Sequence, residues 1–189
     1  MKNINTLRTL DMIYIALFGI IIGICSLITI PGAVPFTLQT FGVFMTISAL
    51  GGKRGTASVL FYIFMGISGI PIFSGFQGGI GVLLGPTGGY VIGFIFSALL
   101  MWLFEKLFGN NNFIFALSMV IALTVCYISG TLWYVLIYSG SDSHIGIGTA
   151  VSICVLPFIV PDIIKISLVL IFKKRLRSII SSVYTYANL

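Results

Sequence analysis

The chain has 189 residues, 58% of them hydrophobic and only 7% charged, with a mean hydropathy of +1.16. Soluble domains carry roughly 25% charged residues, so this chain lacks the side chains to cover a water-facing surface and reads as an integral membrane protein. Ten Lys and Arg against four Asp and Glu leave a net charge of +6, but the basic residues flank apolar runs rather than forming an aromatic-interleaved patch, which argues against nucleic acid and for an anionic lipid surface.

The first apolar span is Asp11–Ile30. It is too long for the usual apolar region of a secretory signal, and no A-x-A-like cleavage site follows, so it is read as a retained helix. Gly19 and Gly23 form a single G-x-x-x-G in it. That spacing offers a smooth face to a neighbouring helix, in the same chain or another.

Thr37–Leu50 is the second span, ended by "GGKRG", and Thr56–Ile70 is the third, ended by Pro71. They hold 14 and 15 residues by these limits. At ~1.5 Å per residue neither crosses a ~30 Å hydrocarbon core alone. Either the helices run further, or the loops at 31–36 and 71–85 complete them at membrane depth. Irregular backbone is tolerated there only where protein buries it or a cavity adjoins it. Gln39 stands at the mouth of the second span, between Phe36 and Phe41. It reads equally well as part of a helix-capping segment and as a hydrogen-bonding group of an aromatic pocket.

Ten of the 22 glycines fall between Gly66 and Gly93. Gly85, Gly89 and Gly93 recur every four residues and predict a helix-packing face. The segment from Ser74 to Gly81 is small, aromatic and amide-bearing, with no charge, and predicts an outer loop folded over a cavity. It is not a phosphate cradle, because the chain has no G-x-x-x-x-G-K-[ST].

Thr87–Phe104 is the fourth span, followed by "EKLFGNNN", and Phe113–Tyr138 is the fifth, followed by "SGSDSHIGIG". Trp102 near one end, and Trp133, Tyr134 and Tyr138 near the other, read as interface anchors. The sixth span, Thr149–Phe172, is closed by "KKRLR". Cys25, Cys126 and Cys154 each lie in an apolar run and read as small buried hydrophobes.

Six spans put both termini on one side, with the 51–55 and 105–112 loops. Nine of the ten basic residues fall on that side, and the tenth, Lys165, lies inside a span. The asymmetry predicts cytoplasmic termini. The fold expected is all-α: residues 1–189 as a single six-helix transmembrane bundle in the cell membrane, outer loops capping a ligand cavity.

Chemistry concentrates in "IVPDIIKISLVLIF", where Asp162 and Lys165 sit three residues apart, on one face of a helix that Pro161 allows to begin or kink. The pair could simply neutralise itself, or snorkel to an interface. Ionisable groups within spans usually face a bundle interior and mark a substrate path, and desolvation tends to offset the attraction of a self-contained pair. The reading preferred is ligand contact, with Asp162 accepting N–H groups and Lys165 donating to a carboxylate or carbonyl. Catalytic alternatives are thin. There is no H-E-x-x-H or G-x-S-x-G, the sole histidine, His144, is in a polar loop, and Asp162 has no second carboxylate in its own helix. The residues imply neither a cofactor nor a metal.

"VPFTLQTFGVF", "GISGIPIFSGFQGGIGVLLGPTGGYVIGF" and "LPFIVPDIIK" resemble the signature segments of the BioY family, the biotin-binding S components of energy-coupling factor (ECF) transporters. The resemblance runs through nearly the whole chain in order, and the tail "SVYTYANL" is outside it. It implies a six-helix protein that captures biotin from outside and lacks its own engine. The family works with a transmembrane coupling protein and two cytoplasmic ATPases. By position, Asp162 and Lys165 match the family's polar pair. Asp162 is expected at the ureido N–H groups, and Lys165 at the ureido oxygen or the valerate carboxylate. Gln39, Gly78, Gly79 and Tyr90 are further expected contacts, and Phe36 and Phe73 expected apolar walls. Gly19 and Gly23 fall where the family has a small-residue pair that docks on the coupling protein. A self-sufficient transporter driven by protons through Asp162, or an intramembrane enzyme, are the competing readings. The first is usually larger with internal repeats, and the second needs a catalytic partner that the sequence does not offer.

Overall fold

A computed structural model describes residues 4–32, 34–139 and 146–186. Lys2, Asp142 and His144 lie outside the described residues. Eight helical segments appear among those described: α1 (Ile4–Leu27), α2 (Gln39–Leu50), α3 (Gly52–Ile67), α4 (Gly81–Leu84), α5 (Gly88–Phe108), α6 (Asn112–Ser139), α7 (Ile147–Cys154) and α8 (Leu156–Tyr186). Two-residue strands β1 (Thr29–Ile30) and β2 (Phe36–Thr37) pair antiparallel and close the connection from α1 to α2. Four stretches are long and apolar enough to cross a membrane: Thr9–Leu27, Gly88–Phe108, Asn112–Ile137 and Ile147–Thr185.

The innermost helix is the short α2. Nine of the 12 residues of α2 are buried, and α1, α3, α5 and α8 all pack on it. A helix surrounded by helices can be apolar all round, and its few hydroxyls must bond internally. Thr46 does so by donating to the carbonyl of Gly42 at 2.7 Å, whereas the buried Ser48 hydroxyl makes no hydrogen bond. The main core joins Ile22 of α1, Val43 and Ile47 of α2, Tyr62 of α3, Phe94 of α5 and Met119 of α6.

Several sequence expectations change. "GGKRG" is not a loop. Gly51 alone makes the turn, with φ of +80°, and α3 starts at Gly52. The carboxylate of Glu105 accepts the first helical N–H, that of Gly52, which caps the helix and lets Lys53 and Arg54 lie in its first turn. The glycine-rich connection is not wholly irregular, since α4 forms one turn within it. Of the three evenly spaced glycines, Gly89 and Gly93 do pack on α6, against Trp133 and Cys126. Gly85 precedes α5 and instead accepts the indole N–H of Trp133 at 3.0 Å. Tyr134 is no interface anchor. It is 3% exposed and packs with Ala150 and Cys154 of α7.

The sixth span is the most altered. It breaks at Val155, ahead of Pro157, not at Pro161, which α8 absorbs. It also does not stop at "KKRLR". The 31-residue α8 is about 45 Å long, and its last turns continue because Ile180 and Leu176 pack on Phe18, Ala49 and Leu50.

Gly19 and Gly23 are buried beneath α3 of the same chain. A methyl group on Gly19 would meet Phe61 at 2.7 Å, and one on Gly23 would meet Ile72 at 3.3 Å. Their smooth face thus serves packing within the chain. The side of α1 left uncovered carries Met12, Ile13, Leu17, Ile20 and Ile24.

Candidate functional site

A cavity lies between the β1–β2 hairpin, the N-terminal parts of α2, α5 and α8 and the middle of α6, with Phe73, Ser74 and Val82 of the glycine-rich connection beside it. It offers about 60 Å³ to the centre of a water-sized sphere, several times the roughly 10–15 Å³ that one water needs. Asp162, Lys165, Gln39, Tyr90 and Phe73 all line it. Five residues singled out from sequence, spread over 127 positions, are thus brought to one space.

Asp162 and Lys165 are buried, at 2% and 5% exposed. Their helix puts them one turn apart, and Lys165 Nζ lies 2.8 Å from Asp162 Oδ1. The ammonium has three donors, and each is used. The other two go to the carbonyl of Thr37 at 2.7 Å and to Thr40 Oγ1 at 3.0 Å. It also lies 4.3 Å from the ring centre of Phe36, where the ring's negative face favours a cation. Asp162 Oδ1 accepts a second bond, from the Thr40 hydroxyl at 3.1 Å. Asp162 Oδ2 accepts the Tyr127 hydroxyl at 2.5 Å. Two carboxylate oxygens offer about four acceptor positions, so this carboxylate keeps capacity where the ammonium has none.

The aromatic and amide groups are held just as specifically. Gln39 Nε2 donates to the Tyr62 hydroxyl at 2.9 Å. Tyr62 meets Phe73 edge-on, ring centres 5.5 Å apart. Phe73 rests on the bare Cα of Gly66, where a side chain of any size would strike its ring. Tyr90 donates to the carbonyl of Cys154 at 2.9 Å. That carbonyl is free because Phe158 N–H bonds to Val155, not to Cys154, at the α7–α8 break. A missing helical bond is thereby satisfied across helices.

Phe36 stands beside the cavity rather than in its lining, stacked on Phe158 with ring centres 6.1 Å apart. Gly78 and Gly79 do not line it. They shape the loop: Gly79 takes φ of +91° and donates to the carbonyl of Gly66 at 2.7 Å. A methyl group on Gly78 would lie 2.6 Å from the carbonyl oxygen of Ile70. Sequence reasoning missed Thr40, Tyr127 and the Thr37 carbonyl, which complete the polar cluster. Tyr127 had a usable signal, a phenol in the middle of an otherwise apolar span. Thr40 had almost none, since threonine is ordinary in a membrane helix and only the fold brings it to Asp162.

This arrangement suits recognition rather than bond-breaking. It has one buried carboxylate, one ammonium, two phenols, an amide and several Thr and Ser hydroxyls set among Val91, Phe94 and Phe158, a composition typical of small-ligand sites.

The sequence matches the BioY family over residues 1–182. A probable biotin transporter BioY of Pyrococcus horikoshii is 36% identical over 90% of this chain and 98% of its own length. The biotin transporter BioY of Thermotoga maritima is 36% identical over 89% and 96%. The crystal structure of the S component for biotin from an ECF-type ABC transporter superposes with a TM-score of 0.82, at 29% identity, over 94% of this chain and 95% of that one. The all-helical architecture and apolar stretches, seen with those relatives, make this a membrane-embedded, multi-pass protein. Matched along nearly its whole length by sequence and by fold, the chain belongs to the BioY family.

Proposed function

We propose that this chain is the biotin-capturing S component of an ECF-type importer, a transport subunit rather than an enzyme. It takes the vitamin from outside and passes it inward with a transmembrane coupling protein and two cytoplasmic ATPases. The observation that carries the reading is the buried Asp162–Lys165 pair lining the cavity, in a chain whose relatives are named as biotin transporters.

The donor inventory supports a division of labour. Asp162 Oδ2 has one partner, so it accepts a ureido N–H without first losing a bond. Lys165 is saturated, so it must release Thr37, Thr40 or Asp162 to reach the ureido oxygen or the valerate carboxylate. Phe73, Phe94 and Tyr90 flank the apolar ring and chain.

Six crossings with cytoplasmic termini fit the basic residues. α2 and α3 each count as one pass, shortened by the turn at Gly51 and completed by the outer loops. Lys53, Arg54, Lys106 and Arg177 gather around Gly51 and Gly52, at the helix ends remote from the cavity, as the cytoplasmic enrichment of Lys and Arg requires.

The test is titration of biotin into the purified chain, wild type against Asp162→Asn and Asp162→Ala/Lys165→Ala. Losing one partner of a buried charged pair typically costs about 3–5 kcal/mol, so capture should weaken by a hundredfold or more. Unchanged affinity in the double variant would remove the site. Uptake in cells without the ATPases, abolished by Asp162→Asn, would favour the proton-driven transporter instead.

A further inference from the structure

The end of the molecule remote from the cavity holds a second built feature. A notch of about 510 Å³ opens between the turn joining α5 to α6 and the late part of α8. Lys173, Lys174 and Arg177 line it with Asn110, Asn112 and Ser178, and the lining has no carboxylate. Three cations around one recess repel each other unless an anion joins them. The charges within reach do not neutralise the group. Glu105 pairs with Arg177 at 3.4 Å while also accepting the amide of Asn110 at 2.6 Å and the N–H of Gly52, so this one carboxylate offsets only one of the three cations. Lys173 Nζ bonds the carbonyls of Asn110 at 3.2 Å and Asn111 at 3.5 Å, and lies 4.3 Å from the Phe115 ring centre. None of those is a counter-charge. No carboxylate among the described residues pairs with Lys174.

Next to the notch residues in sequence, apolar side chains are left uncovered at the same helix ends. Asn112 is followed by Phe113, 76% exposed, and the end of α5 presents Leu107 and Phe108, at 63% and 58%. In α8, Ile171 and Phe172, just before Lys173, are also exposed. Cations that meet exposed apolar side chains at a helix end match the two halves of a phospholipid. The phosphodiester sits in the basic recess and the acyl chains run along the apolar residues, as in basic recesses between transmembrane helices on the cytoplasmic side. A free phosphate would satisfy the charges and leave the apolar flanks unused.

We propose that this notch is a binding site for the headgroup of one anionic phospholipid, with Lys174 and Arg177 as the principal contacts and Lys173 as its floor. Occupancy would pin the α5–α6 turn to α8 at the membrane surface. The site is independent of biotin capture.

Native mass spectrometry of the full chain tests the assignment, with phosphatidylglycerol or phosphatidylcholine added to the detergent micelles. Wild type should retain one phosphatidylglycerol in preference to phosphatidylcholine. Lys174→Gln/Arg177→Gln, which spares the buried Lys173, should weaken retention roughly tenfold or more, given about one tenfold step for every one to two basic side chains removed. Lys53→Gln/Lys106→Gln removes equal charge from the same end but outside the notch and should leave retention unchanged. Biotin binding measured on each variant reports that the fold is intact. Equal retention by wild type and the notch variant overturns the proposal. So does equal loss in the control variant, which would mean diffuse surface charge. Displacement of phosphatidylglycerol by millimolar inorganic phosphate would make this a soluble-anion site and overturn the lipid assignment.

Discussion

The ammonium of Lys165 lies 2.7 Å from the main-chain carbonyl of Thr37, 128 residues earlier in the chain. This bond joins the last long helix to strand β2, so the charge at the floor of the cavity also anchors the hairpin beside it. Thr40, in the first turn of α2, accepts from the same ammonium and donates to Asp162. A ligand that engages Lys165 must rearrange contacts that tie α8 to the β1–β2 hairpin.

Thr40→Val keeps the shape of the side chain and removes both of those bonds. Hydrogen bonds to charged groups contribute about 1.5–3 kcal/mol, so biotin affinity should fall roughly 10- to 100-fold. Isothermal titration of the variant checks this. Wild-type affinity would mean that Thr40 does not position the pair.

Tyr127→Phe takes the donor away from Asp162 Oδ2 and leaves a buried carboxylate oxygen unpaired. The empty protein should lose thermal stability, by about 1–3 kcal/mol for a buried polar group left unsatisfied. If a ligand N–H binds at that oxygen, biotin restores the missing bond, so the stabilisation on adding biotin should be larger in the variant than in wild type. Thermal shift with and without biotin reads the difference. An equal shift in both proteins would show that the ligand does not meet Asp162 Oδ2.

Gly66→Ala introduces a methyl group where the ring of Phe73 rests. Phe73 is 1% exposed and also bears on Tyr62, so the ring's nearest free space is the cavity that it lines. Overpacking of this kind costs about 1–3 kcal/mol, and the displaced ring would obstruct the ligand. The expected result is a lower unfolding temperature together with weaker biotin binding. Weaker stability with unaltered binding would show that Phe73 yields in another direction.

Tyr184→Phe probes the opposite end. The Tyr184 hydroxyl donates to Asp11 Oδ1 at 2.5 Å, its ring stacks on Tyr14 with centres 5.7 Å apart, and Arg54 lies over it at 4.5 Å. Phenylalanine keeps the stacking and loses one partly buried hydrogen bond, worth about 1 kcal/mol. Stability should fall slightly, while biotin affinity stays within about twofold because distant sites act independently. A large change in affinity would reveal coupling between the two ends.

Much of this protein is legible along the chain itself. The scarcity of charge dictates a lipid environment, because water cannot solvate so apolar a surface. The Asp162–Lys165 pair announces itself, because burying two charges in an apolar helix is costly enough to require a reason. Proline and glycine mark the connections from α1 to α2 and from α3 to α5, since both act through local backbone geometry.

Other features depend on what lies across the fold. α3 starts at Gly52 because Glu105, 53 residues away, caps it. α8 outlasts its basic cluster because Phe18 and Leu50 receive Ile180. Gly19 and Gly23 lie against Phe61 of α3 and against Ile72, neighbours that only the fold supplies. Thr40 and Tyr127 enter the site only when α2 and α6 are brought against α8. Composition and local pattern follow from solvation and backbone sterics, which act along the chain. Caps, helix ends and a shared hydrogen-bond network follow from groups that are neighbours only after folding.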